Sequence, residues 1–90
     1  MLYLVTYDLN KPTQEYQNLY EELKSCGAWW HYLDSVWIIK TSKRIGDIDS
    51  RLRSHIDTND DLLIFDVTNK DRKGWLPEKA WQWIRDNIAG

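Results

Sequence analysis

Five oxygen-bearing side chains stand where the apolar runs of this sequence begin or end, and together they suit one chemistry. Asp8 closes the run Leu2 to Tyr7, Asp60 and Asp61 open the run Leu62 to Phe65, and Asp34 with Ser35 opens Val36 to Ile39. Carboxylates brought to one place repel each other. They are reconciled by a hard divalent cation, by protonation of one member, or by solvent. A Mg²⁺-dependent phosphodiesterase uses such a cluster, because the ion polarises phosphate and activates water. A plainer reading stays open beside it. An Asp at a strand end, followed by Asn10 and Pro12, also bonds turn amides, and Asp60 and Asp61 also cap or solvate the turn before them.

Phosphate contact is best supplied by the densest basic stretch, Lys40, Lys43, Arg44, Arg51 and Arg53, although solvated helix charges explain the same residues. Arg44 and Arg51 stand seven residues apart and share a helix face, with Lys40 just before it. In Trp29-Trp30-His31-Tyr32 the alternation of a strand sets Trp29 and His31 on one side, Trp30 and Tyr32 on the other. One side packs under helices. The other either stacks bases, as aromatic sheet faces do in single-strand binders, or forms core and dimer seam. His31 is a candidate proton shuttle, whereas His55, late in a helix, is expected at that helix's C-terminus. Cys26 is the only cysteine, so no internal disulfide or paired-cysteine metal site can form, and a buried apolar role is expected.

The elements that must position these groups follow from periodicity. Leu2 to Tyr7 is apolar on both alternating faces, like a central strand covered on both sides. Tyr16, Leu19, Tyr20, Leu23 and Cys26 form a helical stripe, with Thr13 as its expected cap and Gly27 as its stop. Ala28 to Tyr32 and Ser35 to Lys40, joined by Leu33-Asp34, predict a hairpin. Ser42 is expected to cap a second helix with the stripe Ile45, Ile48, Leu52 and Ile56. Asp61 to Val67 is the fourth strand. Pro77 opens a last helix striped by Trp81, Ile84 and Ile88, with Trp75, Trp81 and Trp83 anchoring the C-terminus on a sheet.

This order predicts an α+β class: a ferredoxin-like βαββαβ sandwich with an additional C-terminal helix, as one domain over residues 1–90. The expected sheet order is fourth, first, third, second, with the first two helices on one face. That topology brings Asp8 beside Asp60 and Asp61 on one flank, and beside Asp34 and Ser35 on the other. The opposite face, also apolar, must be covered by the last helix, a second copy, or both, so a homodimer is expected. Six Trp and five Tyr are more aromatics than so small a core hides, which points the same way. Twelve Lys and Arg against fourteen Asp and Glu give −2, so the strongly basic footprint of an avid nucleic-acid binder is missing. No apolar run approaches a membrane span and no secretory pattern opens the chain, so a cytoplasmic protein without membrane association is expected.

The opening LYLVTYDLN, the helix ending at Gly27, and SVW at Ser35 to Trp37 resemble the small nuclease-fold subunit of CRISPR adaptation complexes. YDLNKP and WWHYLDS resemble, more closely still, small bacterial proteins labelled SinR-like. The first resemblance implies a ferredoxin-like homodimer in which Asp8 of both copies approaches the two-fold axis to hold Mg²⁺ for phosphodiester cleavage. It carries over Tyr7, Asp8, Ser35 and Trp37. The family pattern has Gln where this chain has Leu33, an acid where it has Ile38, and a basic first helix where it has Glu15, Glu21 and Glu22.

The expected function is therefore a metal-dependent endonuclease acting on RNA or DNA. Asp8 is its catalytic and metal-binding residue, and Tyr7, Ser35, Lys40, Arg44 and Arg51 contact substrate. The alternatives are a catalytically inactive dimeric module that binds a protein partner, motivated by the acidic balance and acidic first helix, and a toxin-type ribonuclease on the same scaffold.

Overall fold

The computed structural model describes residues 1–10 and 16–88. Strand β1 (Leu2–Asp8) is followed by α1 (Gln17–Ser25), β2 (Ala28–Trp30), β3 (Val36–Lys40), α2 (Ile45–Arg53), β4 (Asp61–Asp66) and α3 (Glu78–Asn87). The four strands form one antiparallel sheet in the order β2-β3-β1-β4, as expected.

Alternation along β1 divides the core in two. Tyr3 and Val5 face α1 and α2, where they bury with Leu19, Leu23, Trp37, Ile39, Ile48 and Leu52. Leu2 faces the other way and packs with Trp30, Ile38, Ala80 and Ile84, so α3 covers part of the second face. The cover is incomplete. Phe65 and Leu63 of β4 keep 57% and 51% of their surface exposed, and their register partners on β1 are Leu4 and Thr6. All four residues share the face that α3 leaves open.

Gly27 turns the chain from α1 into β2 at φ 155°, and a Cβ there would lie 2.1 Å from the Lys40 carbonyl oxygen. Only glycine permits this approach. The Tyr3 hydroxyl donates to the Lys43 carbonyl at 2.8 Å, tying the chain after β3 to the sheet.

Several expectations need correction. Ser42 does not cap α2: Arg44 occupies the cap position in extended conformation without a side-chain bond, and the nearby turn is closed by Lys43 N–H donating to the Thr41 hydroxyl. The second strand stops at Trp30 rather than Tyr32, and the His31 ring Nδ1 stands 3.0 Å from the Val36 carbonyl. Trp81 and Trp83 of α3 pack against the core on the second sheet face, as expected, but Trp75, in the stretch before α3, is 99% exposed. Thr13 lies outside the described residues. Among the described residues no helix is long and apolar enough to cross a membrane.

Candidate functional site

Asp8 is the last residue of β1, and the residue opposite it in the antiparallel ladder is Asp61, the first of β4. Both carboxylates are exposed. Their parity with Leu4, Thr6, Leu63 and Phe65 puts them on the open face, at the end of the exposed apolar strip. A cavity of about 220 Å³ at this corner is lined by Thr6, Tyr7, Asp8, Asp61, Leu62 and Leu63. On the other flank Tyr7 N–H donates to the Ser35 carbonyl at 3.3 Å, which sets Asp34 and Ser35 beside the end of β1. The topology thus brings together the residues expected from the sequence.

They do not form one cluster. Asp60 is only 7% exposed; its Oδ1 accepts from Asn10 N–H and the Tyr16 hydroxyl, both at 2.9 Å, and its Oδ2 from Asp57 N–H at 3.1 Å. It is a buried turn carboxylate. The Asp34 side chain lines a different cavity, on the helix side of the sheet. Among the described residues no group of three His, Cys, Asp or Glu side chains is arranged to hold a metal. Asp8 and Asp61 are the pair left to act as oxygen donors.

The expected substrate contacts divide. Tyr7 is not a side-chain wall of the Asp8 corner: its ring packs toward α1 and its hydroxyl accepts from Trp37 Nε1 at 3.0 Å. Burial pushes its phenol above the ordinary range, outweighing the Trp37 bond, so it stays protonated. Lys40 pairs with Leu2 at the opposite end of β1, about 20 Å from Asp8 at the rise of a strand, and Arg44 follows it at that end. Arg51 Nη1 lies 3.3 Å from Glu22 Oε2 of α1. None of the three extends the Asp8 corner.

Glu22 is a partner that periodicity does not reveal. It accepts from Ser25 and Arg51 and meets His55 Nε2 at 3.3 Å, so His55 bridges helices rather than serving its own helix end. Burial raises the Glu22 carboxyl, but the bonds from His55, Ser25 and Arg51 outweigh it and hold it below the usual range.

The aromatic run also sorts differently from expectation. Trp30 is buried under α3 and cannot stack bases. Trp29 and His31, on the helix side, border open space instead, with Trp29 42% exposed. Alternation identified the two sides; only the docking of α3 decided which one stayed open.

The chain is similar to a solved structure, a hypothetical protein TT1823 of Thermus thermophilus, at 28% identity and a TM-score of 0.63, over 83% of this chain and 90% of that one. No curated protein matches it. The family model described as CRISPR associated protein Cas2 matches residues 1–74, most of the 90 residues, and the chain belongs to that family.

Proposed function

We propose that this protein is an endonuclease-type subunit that cleaves RNA or DNA phosphodiesters with Mg²⁺, using Asp8 of two copies joined through the open sheet face. Family membership supports the coarser part, since members are generally nuclease-type subunits of CRISPR adaptation complexes and generally form dimers. The observation that carries the rest is the Asp8–Asp61 pair at the end of the exposed strip of Leu63 and Phe65, beside half-buried Leu4. A second copy laid on that strip would cover its apolar surface and bring a second carboxylate pair toward the first.

The donor set fits a hard divalent ion. Asp8 and Asp61 offer exposed carboxylate oxygens and no soft ligand, and two protomers supply four such groups where one supplies two. Mg²⁺ held by Asp8 would polarise the phosphoryl oxygen and activate water. Asp61 would share the charge, whereas Ser35, paired through its carbonyl with Tyr7, shares the helix-side parity of Tyr7 and Trp37 and lies away from the ion. Leu63 and Phe65, once covered, would exclude bulk water from the corner.

Purified protein incubated with short single- and double-stranded RNA and DNA, with Mg²⁺ or Mn²⁺, should cleave at least one of them. Asp8→Ala should abolish the cleavage. Equal trace cleavage by both proteins would sink the catalytic reading.

A non-catalytic dimeric module binding a protein partner is the second reading, with its own observation. Lys40 and Arg44 lie at the end of the sheet remote from Asp8, and Arg51 is engaged by Glu22, so of that basic stretch Arg53, which shares a cavity with Asp61 and pairs with Asp49, stands nearest the corner. Absence of cleavage together with a stable protein partner from the native host would favour it. Growth arrest on overexpression would instead favour the toxin-type ribonuclease.

A further inference from the structure

The cavity between α1 and the β2–β3 hairpin has no part in the proposed cleavage. It measures about 440 Å³ and is walled by Tyr7, Tyr20, Trp29, His31 and Trp37. Three of these rings are nearly parallel. His31 lies on Trp37 with centroids 4.0 Å apart and planes within 6°, and Tyr20 runs at 17° to Trp37 at 6.3 Å. Trp29 closes the group at a tilt of 47°. Trp37 is fully buried, yet its neighbours His31 and Trp29 meet solvent. A concave site lined by aromatic rings with a few convergent polar groups is the usual form of a small-ligand pocket.

The arrangement selects among guests. A cage for an ammonium group presents ring faces around a cation from several directions. Near-parallel rings instead offer their faces to another flat ring by offset stacking. Charge at the rim agrees. Lys24 Nζ lies 5.3 Å from the centroid of the Trp29 ring, so it repels a cation and attracts a phosphate. Asp34 lines the same cavity and can accept from an amino or hydroxyl group.

We infer that this cavity is a nucleobase site, taking the base of a nucleotide against Trp29 and His31, its phosphate at Lys24, and an amino or ribose hydroxyl group at Asp34. Trp29, Trp37 and His31 lie on the helix-covered side, whereas Asp8 lies on the opposite face. Base binding here requires neither the metal nor Asp8. The base comes from a free mononucleotide or from an unpaired position in a strand.

Calorimetric titration in EDTA with AMP, adenosine, a single-stranded hexa-adenylate and tetramethylammonium tests the site. AMP or the hexa-adenylate should bind once per chain. Comparable affinity for both identifies a mononucleotide site, and binding of the hexa-adenylate alone identifies an unpaired strand. Trp29→Ala and His31→Ala should each weaken binding roughly fivefold to a hundredfold, and Trp29→Phe, which keeps a stacking ring, should recover most of it. Lys24→Ala should weaken AMP while leaving adenosine unchanged. Asp8→Ala should bind like wild type, so failure of the cleavage assay leaves this result intact. Circular dichroism identifies a variant that does not fold, and Lys24→Ala, altered at an exposed position, then decides alone. The inference is overturned if neither AMP nor the hexa-adenylate binds, if the folded variants bind as tightly as wild type, or if tetramethylammonium binds and AMP does not.

Discussion

His31 lies flat on Trp37, 4.0 Å between centroids, although the backbone ladder between β2 and β3 has already ended at Trp30. The two side chains continue a pairing that the main chain has abandoned, because the His31 ring reaches the Val36 carbonyl. This stack fixes the end of the hairpin. His31→Ala should lower stability by about 0.5–1.5 kcal/mol, the usual worth of an aromatic pair, measured by urea denaturation. An unchanged midpoint would mean that the stack is incidental.

Gly27 is set by the approach of α1's end to β3. A methyl group at that position meets the Lys40 carbonyl at 2.1 Å, and backbone cannot swing aside as a side-chain tip can. Gly27→Ala should therefore cost about 1–3 kcal/mol, in the range of overpacking strain. A thermal melt checks it; a midpoint within a degree of wild type would contradict the close approach.

Asp8, at the end of β1, and Asp60, just before β4, are neighbouring carboxylates with opposite expected behaviour. Asp60 is buried and accepts three hydrogen bonds, so Asp60→Ala should destabilise by about 2–3 kcal/mol through the orphaned donors. Asp8 is exposed beside Asp61, and Asp8→Ala should keep full stability while removing repulsion between neighbouring carboxylates. Denaturation of both variants side by side separates a structural acid from one available for chemistry.

The Glu22 carboxyl is held below its ordinary range by His55, Ser25 and Arg51. A group depressed in the folded state contributes stability above its unfolded pKa, near 4.5, and loses that contribution as pH falls through the lower folded value. Wild type should exceed Glu22→Gln in stability at pH 6, by less than about 1 kcal/mol for so exposed a network. The difference should shrink below about pH 4.5. A difference that grows on acidification would reverse the assignment.

Leu63 and Phe65 are the exposed apolar side chains of β4 on the open face. If that face joins two copies, Leu63→Lys with Phe65→Lys should turn a dimer into a monomer by light scattering while leaving circular dichroism unchanged. A double variant that remains dimeric would mean that the copies meet elsewhere, and Asp8 would then lie away from the two-fold axis.

The sequence by itself determined the element order, the sheet order and the placement of Asp8 opposite the start of β4. Each of these follows from local periodicity and from the few ways such elements pair. Tyr3, Val5, Leu19, Leu23, Ile48 and Leu52 all bury where their spacing put them. Only the tertiary structure decided the fate of groups whose partners are distant in the chain. Asp60 is consumed by Asn10, Tyr16 and Asp57, Arg51 by Glu22, and Tyr7 by Trp37. Trp30 is covered and Trp29 left open because α3 docks on one side of the sheet and not the other. Spacing along a chain says which face a side chain takes, whereas its chemistry is set by what the rest of the fold brings against that face.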